Sequence, residues 1–396
     1  MSHDGSARAE SAPRYLDTAD AVGRFIEAIA HERLIAIDTE GASFHRFVDR
    51  IYLLQISTRD RTAVIDPLPI GVPTALGVML EDPAVEIVLH DADYDLRLLQ
   101  RDYGWSARNI FDTRIAAQLL GLRAFGLAAL LERFLGVKIE KKFQRADWSM
   151  RPLTAGMLEY AAQDTINLLA LRDRLRSDLL GMGRWDWAAE EFERLEGTRW
   201  AEDTGDAFLR MKGARDLTRR ELAILRELVA WRDDVARAAD RAAFRVLGND
   251  PLFEIARLKP SSRDELSRVK GMPRGVLEAR SDDVLAAVRR GIDVPDADLP
   301  RFQRGTRWDR DPNFEARTAA LKTIRDEVAT ELDLDPGVLC SRERLEAVAR
   351  RNPANMAELG EVRELRRWQA AVLGSRFIVA LERYGSPQRP AAIRPV

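Results

Sequence analysis

The sequence predicts an α/β domain with a mixed sheet, followed by two all-helical blocks. Three observations predict it. Short apolar runs of strand type recur up to Asp112, whereas from Thr113 onward the spacing is helical. The first three such runs follow one another with short polar connections and are then succeeded by alternating helix and strand, which gives a sheet of mixed direction. The helical remainder contains two stretches with the same order of elements, the mark of a duplication.

Taken in order, Arg33–Asp38 is a buried strand, and Ile51–Ser57 and Thr62–Asp66 complete a meander across the polar pieces Phe44–Arg50 and Thr58–Arg61. Ala84–His90 is a fourth strand. The helix that follows carries Asp95 in its first turn and Leu96, Leu98 and Leu99 at helical spacing. Asn109–Asp112 is a short fifth strand before a helix from Thr113 to Leu122. The α/β domain is placed at residues 15–182, after a tail of residues 1–14 expected to be disordered, and a helical connection at 183–213. The first helical block is placed at 214–292, a linker rich in Pro, Asp and Arg at 293–313, the second block at 314–386 and a tail at 387–396. In the first block Trp231-Arg-Asp233, Leu252–Arg257 and Ser262–Leu266 succeed one another. In the second, Leu321–Asp326, Leu345–Arg350 and Asn355–Leu359 repeat that order. Trp185, Trp187 and Trp200 in the connection are read as glue between domains.

Composition narrows the function classes. With 46% hydrophobic and 32% charged residues among 396, the chain has enough apolar content for real cores. No apolar run approaches the ~20 residues of a membrane span, and Met1–Tyr15 lacks the apolar segment of a secretory signal. A cytoplasmic protein is expected. The single cysteine, Cys340, excludes an internal disulfide and a multi-cysteine zinc site. The net charge of −2 is not that of a typical nucleic-acid binder, yet residues 215–291 hold 17 Lys and Arg against 13 Asp and Glu.

Chemistry concentrates on acids. Asp38 and Glu40 stand two apart at the end of a strand, so both carboxylates face one side. Two anions held together need a cation, and carboxylate oxygens suit Mg²⁺ or Mn²⁺. Asp95 sits just past the fourth strand. Tyr160 and Asp164, four apart on a helix, share a face. Any one of these alone is ordinary; the ordered set is what points to a metal site.

That set resembles the three exonuclease motifs of the DEDD superfamily in its tyrosine-bearing branch: Asp38-Thr-Glu40, His90-x4-Asp95-Leu96 and Tyr160-x3-Asp164. The histidine branch would need a histidine where Glu159 stands. Phe111-Asp112-Thr113, Lys142-x4-Asp147-Trp148, Arg151-Pro152-Leu153 and Tyr160-Ala-Ala-x-Asp164 narrow the resemblance to the ribonuclease D family. The helical blocks resemble HRDC domains, the first more closely than the second, and the resemblance spans about Tyr15 to Tyr384.

The resemblance implies an RNase H-like fold and a 3′→5′ exoribonuclease acting on structured RNA ends, tRNA precursors among them. It implies two divalent ions, Mg²⁺ or Mn²⁺, held by Asp38, Glu40, Asp95 and Asp164, that activate water and stabilise the leaving 3′ oxygen. Tyr160 would hold or help deprotonate the water, and the products would be nucleoside 5′-monophosphates. No membrane and no obligate protein partner is implied. Substrate contacts are sought at Phe44 and His45, as a base wedge or as loop packing; at Leu54 and Gln55 on the neighbouring strand; and at His90, which is equally read as a buried histidine. Lys142 and Arg151 are read as phosphate contacts or as surface charge. Lys259, Arg263, Arg268 and Lys270 are candidate backbone contacts of the first helical block. Two other readings stand beside this one: a DNA 3′→5′ exonuclease of the same superfamily, and a non-catalytic nucleic-acid-binding scaffold.

Overall fold

The computed structural model describes residues 13–140, 142–201, 207–302 and 311–384. Most of the expected terminal tails, and part of both the helical connection and the linker, lie outside these residues. Six strands form one sheet: β1 (Arg14–Leu16), β2 (Leu34–Glu40), β3 (Leu53–Ser57), β4 (Thr62–Ile65), β5 (Glu86–Leu89) and β6 (Ile110–Asp112). Their order is β1-β4-β3-β2-β5-β6. β2, β3 and β4 pair antiparallel as a meander, while β5, β6 and β1 join in parallel. The sheet is therefore mixed, as expected. β1 is an addition: three residues, too short to show any alternation, are held at the edge by pairing with β4 and by the Tyr15 hydroxyl, which donates to Asp66 at 2.5 Å.

The pleat sends alternate residues to two cores. Ile35, Ile37, Leu54, Ile56 and Ile65 point to one face, beneath the helices Ala19–Ile29, Thr74–Glu81 and Asp93–Tyr103. Leu53 and Val64 point to the other, where helix Ala155–Ile166 covers them through Ala161 and Ala162. Thr154 starts that helix, its side chain accepting from the Met157 amide.

The helical blocks are two copies of one plan. Helix Arg219–Ala238 corresponds to Phe314–Glu331, Asn249–Leu258 to Arg342–Arg351, Arg263–Ser267 to Met356–Gly360, and Ser281–Asp293 to Arg367–Glu382. The likeness reaches single residues. Arg232 pairs with Asp233 as Arg325 does with Asp326. Lys259 and Asn352 end equivalent helices in the left-handed conformation, at φ 52° and 47°. Helix Arg274–Ala279 has no counterpart in the second copy among the described residues.

The two copies meet the α/β domain differently. The second shares one continuous hydrophobic cluster with it, running from Leu119, Leu171 and Phe192 to Leu321, Leu345 and Phe377. Trp187 stacks on Trp368 with centroids 4.9 Å apart, and Trp368 Nε1 donates to Glu191 at 3.0 Å. Arg184 donates to the carbonyls of Leu119 and Leu332, one in each domain. The chains come so close that a Cβ on Gly121, itself at φ 81°, would lie 2.2 Å from the Asp333 carbonyl oxygen. The first copy meets the domain, among the described residues, along the loop around Ser43–Asp49. Trp185, in turn, packs inside the domain against Phe111 and Phe192, and Trp200 lies under the Arg101 guanidinium.

Candidate active site

β2 ends in Asp38-Thr39-Glu40, and its pleat turns both carboxylates to the face covered by helix Ala155–Ile166. Asp164 reaches them from that helix. One carboxylate oxygen each from Asp38, Glu40 and Asp164 lies within 4.8 Å of the others, a separation a divalent cation can bridge. Asp95, in the first turn of helix Asp93–Tyr103, stands beside this group and accepts from the Thr39 hydroxyl at 2.5 Å. The residue between the two acids of β2 thus points the other way and anchors the acid that arrives from across the sheet.

Local bonds fix each arm. Asp112 caps helix Thr113–Leu119 and also accepts from the amides of Asp91 and Ala92, which pins the turn leading to Asp95. Thr113 donates to the Leu89 carbonyl. Ser57 on β3 bonds the Thr165 hydroxyl at 2.8 Å, and Thr165 adjoins Asp164, so the helix is held in register against the sheet. Tyr160 lies one turn before Asp164, between Trp148, stacked at 6.1 Å, and the edge of Phe143 at 5.9 Å.

The electrostatics are those of a cluster of acids short of positive charge. Burial, then repulsion from Asp95 and Asp164, pushes the Asp38 carboxyl well above its usual range; burial and the same neighbours do so for Glu40. Burial raises Asp95 and Asp164 to about 7. The Tyr160 phenol is raised by burial and by the nearby acids, so it stays protonated. Gln55 stands directly opposite Asp38 in the β2–β3 register, and neither its amide nitrogen nor its oxygen has a hydrogen-bond partner although both are buried. Converging carboxylates, an unsatisfied amide at their foot and an all-oxygen donor set fit hard divalent cations.

The other sequence candidates divide. Gln55 joins the carboxylate side. Leu54 does not: adjacent residues of a strand face opposite ways, and its side chain is buried in the core under the far face. Arg151 is no phosphate contact. All five of its N–H positions are engaged: Nε and Nη2 bind Asp66, Nη2 also the Tyr52 carbonyl, and Nη1 the carbonyls of Trp148 and Met150. Lys142 sits over the Phe143 ring at 5.4 Å, one ring removed from Tyr160. His90 bonds Thr113, and burial lowers its pKa to about 4, which leaves it neutral. His45 contacts the Arg145 carbonyl, and Phe44 is exposed, its ring edge-on to Phe244 of the first helical block. Lys259 lies 3.8 Å from Glu221, Arg268 is paired with Asp264, and Arg263 and Lys270 are exposed. Thr39, Asp112, Thr113 and Thr165 carry no catalytic signature; only the Phe111-Asp112-Thr113 run hinted at two of them.

Fold and site together define a 3′→5′ exonuclease with two appended helical modules. Residues 13–180 match the 3′-5′ exonuclease family model, and residues 221–288 and 314–381 each match the HRDC domain. Ribonuclease D of Gluconacetobacter diazotrophicus is 32% identical over 85% of this chain and 86% of its own length. That of Granulibacter bethesdensis is 30% identical over 88% and 89%. The crystal structure of Escherichia coli RNase D, described as an exoribonuclease involved in structured RNA processing, superposes with a TM-score of 0.72 at 25% identity, covering 94% of this chain and 99% of that one. The chain belongs to the ribonuclease D family and is a 3′→5′ exoribonuclease. Among the described residues no helix is long and apolar enough to cross a membrane.

Proposed function

We propose that this enzyme trims the 3′ ends of structured RNAs, tRNA precursors included, one nucleotide at a time in the cytoplasm, and releases nucleoside 5′-monophosphates. The observation that carries the reading is the convergence of Asp38, Glu40 and Asp164, with Asp95 tied in through Thr39. These four acids would hold two divalent cations, Mg²⁺ or Mn²⁺. Such cations supply a water ionisable near neutral pH and neutralise charge at the scissile phosphate. Asp38, which feels all three other acids, would be the central ligand of the group. The protonated Tyr160 phenol donates a hydrogen bond that holds the attacking water in line with the phosphorus, since a group of such raised pKa orients better than it abstracts. Trp148 and Phe143 keep the phenol from swinging away.

The test is a 3′-tailed RNA and a matched DNA incubated with Mg²⁺, Mn²⁺ or EDTA, beside Asp38→Ala and Tyr160→Phe. Stepwise RNA shortening is expected, abolished by EDTA and in Asp38→Ala, and slowed by about 10²-fold or more in Tyr160→Phe. Preference for the DNA would favour a DNA exonuclease, and binding without cleavage a scaffold.

A further inference from the structure

The first HRDC domain leans on the nuclease through one loop, and the contacts at that seam are unusual in being left open. The Phe44 and Phe244 rings meet edge to face at 6.1 Å, yet both remain about half exposed, at 47% and 51%. The Arg145 guanidinium lies over Phe44 at 5.5 Å. Around them the seam is closed by the Ala242 amide donating to the His45 carbonyl at 3.1 Å, by Arg46 pairing with Asp240 at 3.3 Å, and by Phe47, which packs against the HRDC core beneath Arg237. A cleft of about 360 Å³ opens there, lined from both domains by Ser43, Arg46, Phe47, Arg232, Phe244 and Asn249. One face of the T-shaped pair and much of both rings thus stay open to solvent. Arg145, Arg241 and Arg245 are exposed and have no carboxylate partner among the described residues.

The seam is continuous with the active site. Residues 142–145 form one turn: Phe143 touches the edge of Tyr160, and Arg145 covers Phe44. One step further, Phe44 touches Phe244. Two ring pairs, Tyr160–Phe143 and Phe44–Phe244, are thus joined by the turn that carries Arg145, and lead from the catalytic tyrosine onto the HRDC domain. Stacking faces with loose positive charge are what a single-stranded nucleic acid needs, whatever its sequence.

We propose that Phe44 and Phe244, with Arg145, Arg241 and Arg245 about them, form a composite platform that carries the single-stranded RNA just upstream of the scissile nucleotide. The proposal rests on the exoribonuclease reading above and adds to it a specific surface of the HRDC domain. It also moves the RNA contact away from Lys259. That lysine sits beside Glu221 at the start of helix Arg219–Ala238, whereas the seam lies past its end at Asp240. At ~1.5 Å per residue the two lie roughly 29 Å apart along the helix.

Steady-state kinetics of the full chain on a 3′-tailed RNA and on a dinucleotide test this. Phe244→Ala is expected to raise KM for the tailed RNA by about tenfold or more. The dinucleotide, too short to reach Phe244, should show a far smaller change, and Phe244→Trp should restore the tailed-RNA KM. Replacing Arg241 and Arg245 by Ala should flatten the slope of log affinity against log salt by about 1.4. Equal losses on both substrates, an unmoved KM in Phe244→Ala, or a larger loss in Lys259→Ala than in Phe244→Ala would each overturn the platform. A wild-type enzyme that leaves RNA intact would instead remove the reading beneath it, before any variant is compared.

Discussion

At the scale of single residues, the site is organised by side chains that carry no catalytic signature. Thr39 is the clearest case. Its hydroxyl holds Asp95 at 2.5 Å. Thr39→Val keeps the shape and removes the bond, so divalent affinity should fall by about 10–100-fold, read by calorimetric titration with Mn²⁺. Arg151 shows the converse, a functional expectation that became a structural fact. Its target, Asp66, is 1% exposed. Burial pushes that carboxyl up, but hydrogen bonds from Arg151 and Tyr15 prevail and hold it below its ordinary value. Arg151→Ala should cost about 3 kcal/mol at pH 7 by stranding a buried charge. The signs differ between the two proteins. In the wild type the pair's contribution is present above about pH 4 and is lost as pH falls through the depressed Asp66 value. In Arg151→Ala the orphaned carboxyl titrates high, so its penalty shrinks as pH falls from 7 toward 5. Thermal melts across that range separate the two. From sequence, the four acids and the phenol were legible because their spacing states their geometry. Leu54 was misplaced even though strand parity already sets it opposite Gln55. Arg151 was misread because a cation's partner fifty or more residues away leaves no local trace.

At the scale of elements, strands β2 to β6 were legible within about three residues at each end, since apolar runs bounded by polar residues survive folding unchanged. β1 was not, because three residues at a sheet edge owe their form to β4 rather than to themselves. The helix carrying Tyr160 and Asp164 was read correctly from i, i+4 spacing, but its register against the sheet depends on Ser57 and Thr165 meeting across 108 residues. Thr165→Val deletes that link. A shift of the helix of the order of 1 Å costs up to about 100-fold in kcat, and the loss should exceed any change in KM. An unchanged kcat in a folded Thr165→Val protein would show that helix packing alone sets the register. The duplication was visible as a pattern of order. The divergence of the copies shows only when equivalent helix ends are matched: Lys259 and Arg268 of the first correspond to Asn352 and Glu361 of the second.

At the scale of the whole molecule, the sequence announced two copies of one module and said nothing of how each would attach. The structure gives them opposite attachments: an open seam for the first and a common core for the second. Gly121 marks how tight the second is. Gly121→Ala adds a methyl where the Asp333 carbonyl already stands, at a backbone conformation alanine resists. A penalty of roughly 1–3 kcal/mol is expected, seen as a lower melting temperature and faster proteolysis between residues 293 and 313. Dinucleotide hydrolysis should persist, since Gly121 lies away from the carboxylates.

The common core also bears on how the chain is made. Helix Thr113–Leu119 and helix Trp185–Leu195, which packs on the nuclease, meet the second HRDC domain through Leu119 and Trp187, within one common hydrophobic cluster. On a ribosome that domain emerges well after the nuclease has folded, by more than a hundred positions. The nascent nuclease therefore waits with an uncovered face, and the first HRDC domain is complete before the domain that covers that face. Synthesis speed through residues 214–313 would set how long that face is open to a chaperone or to a neighbouring copy.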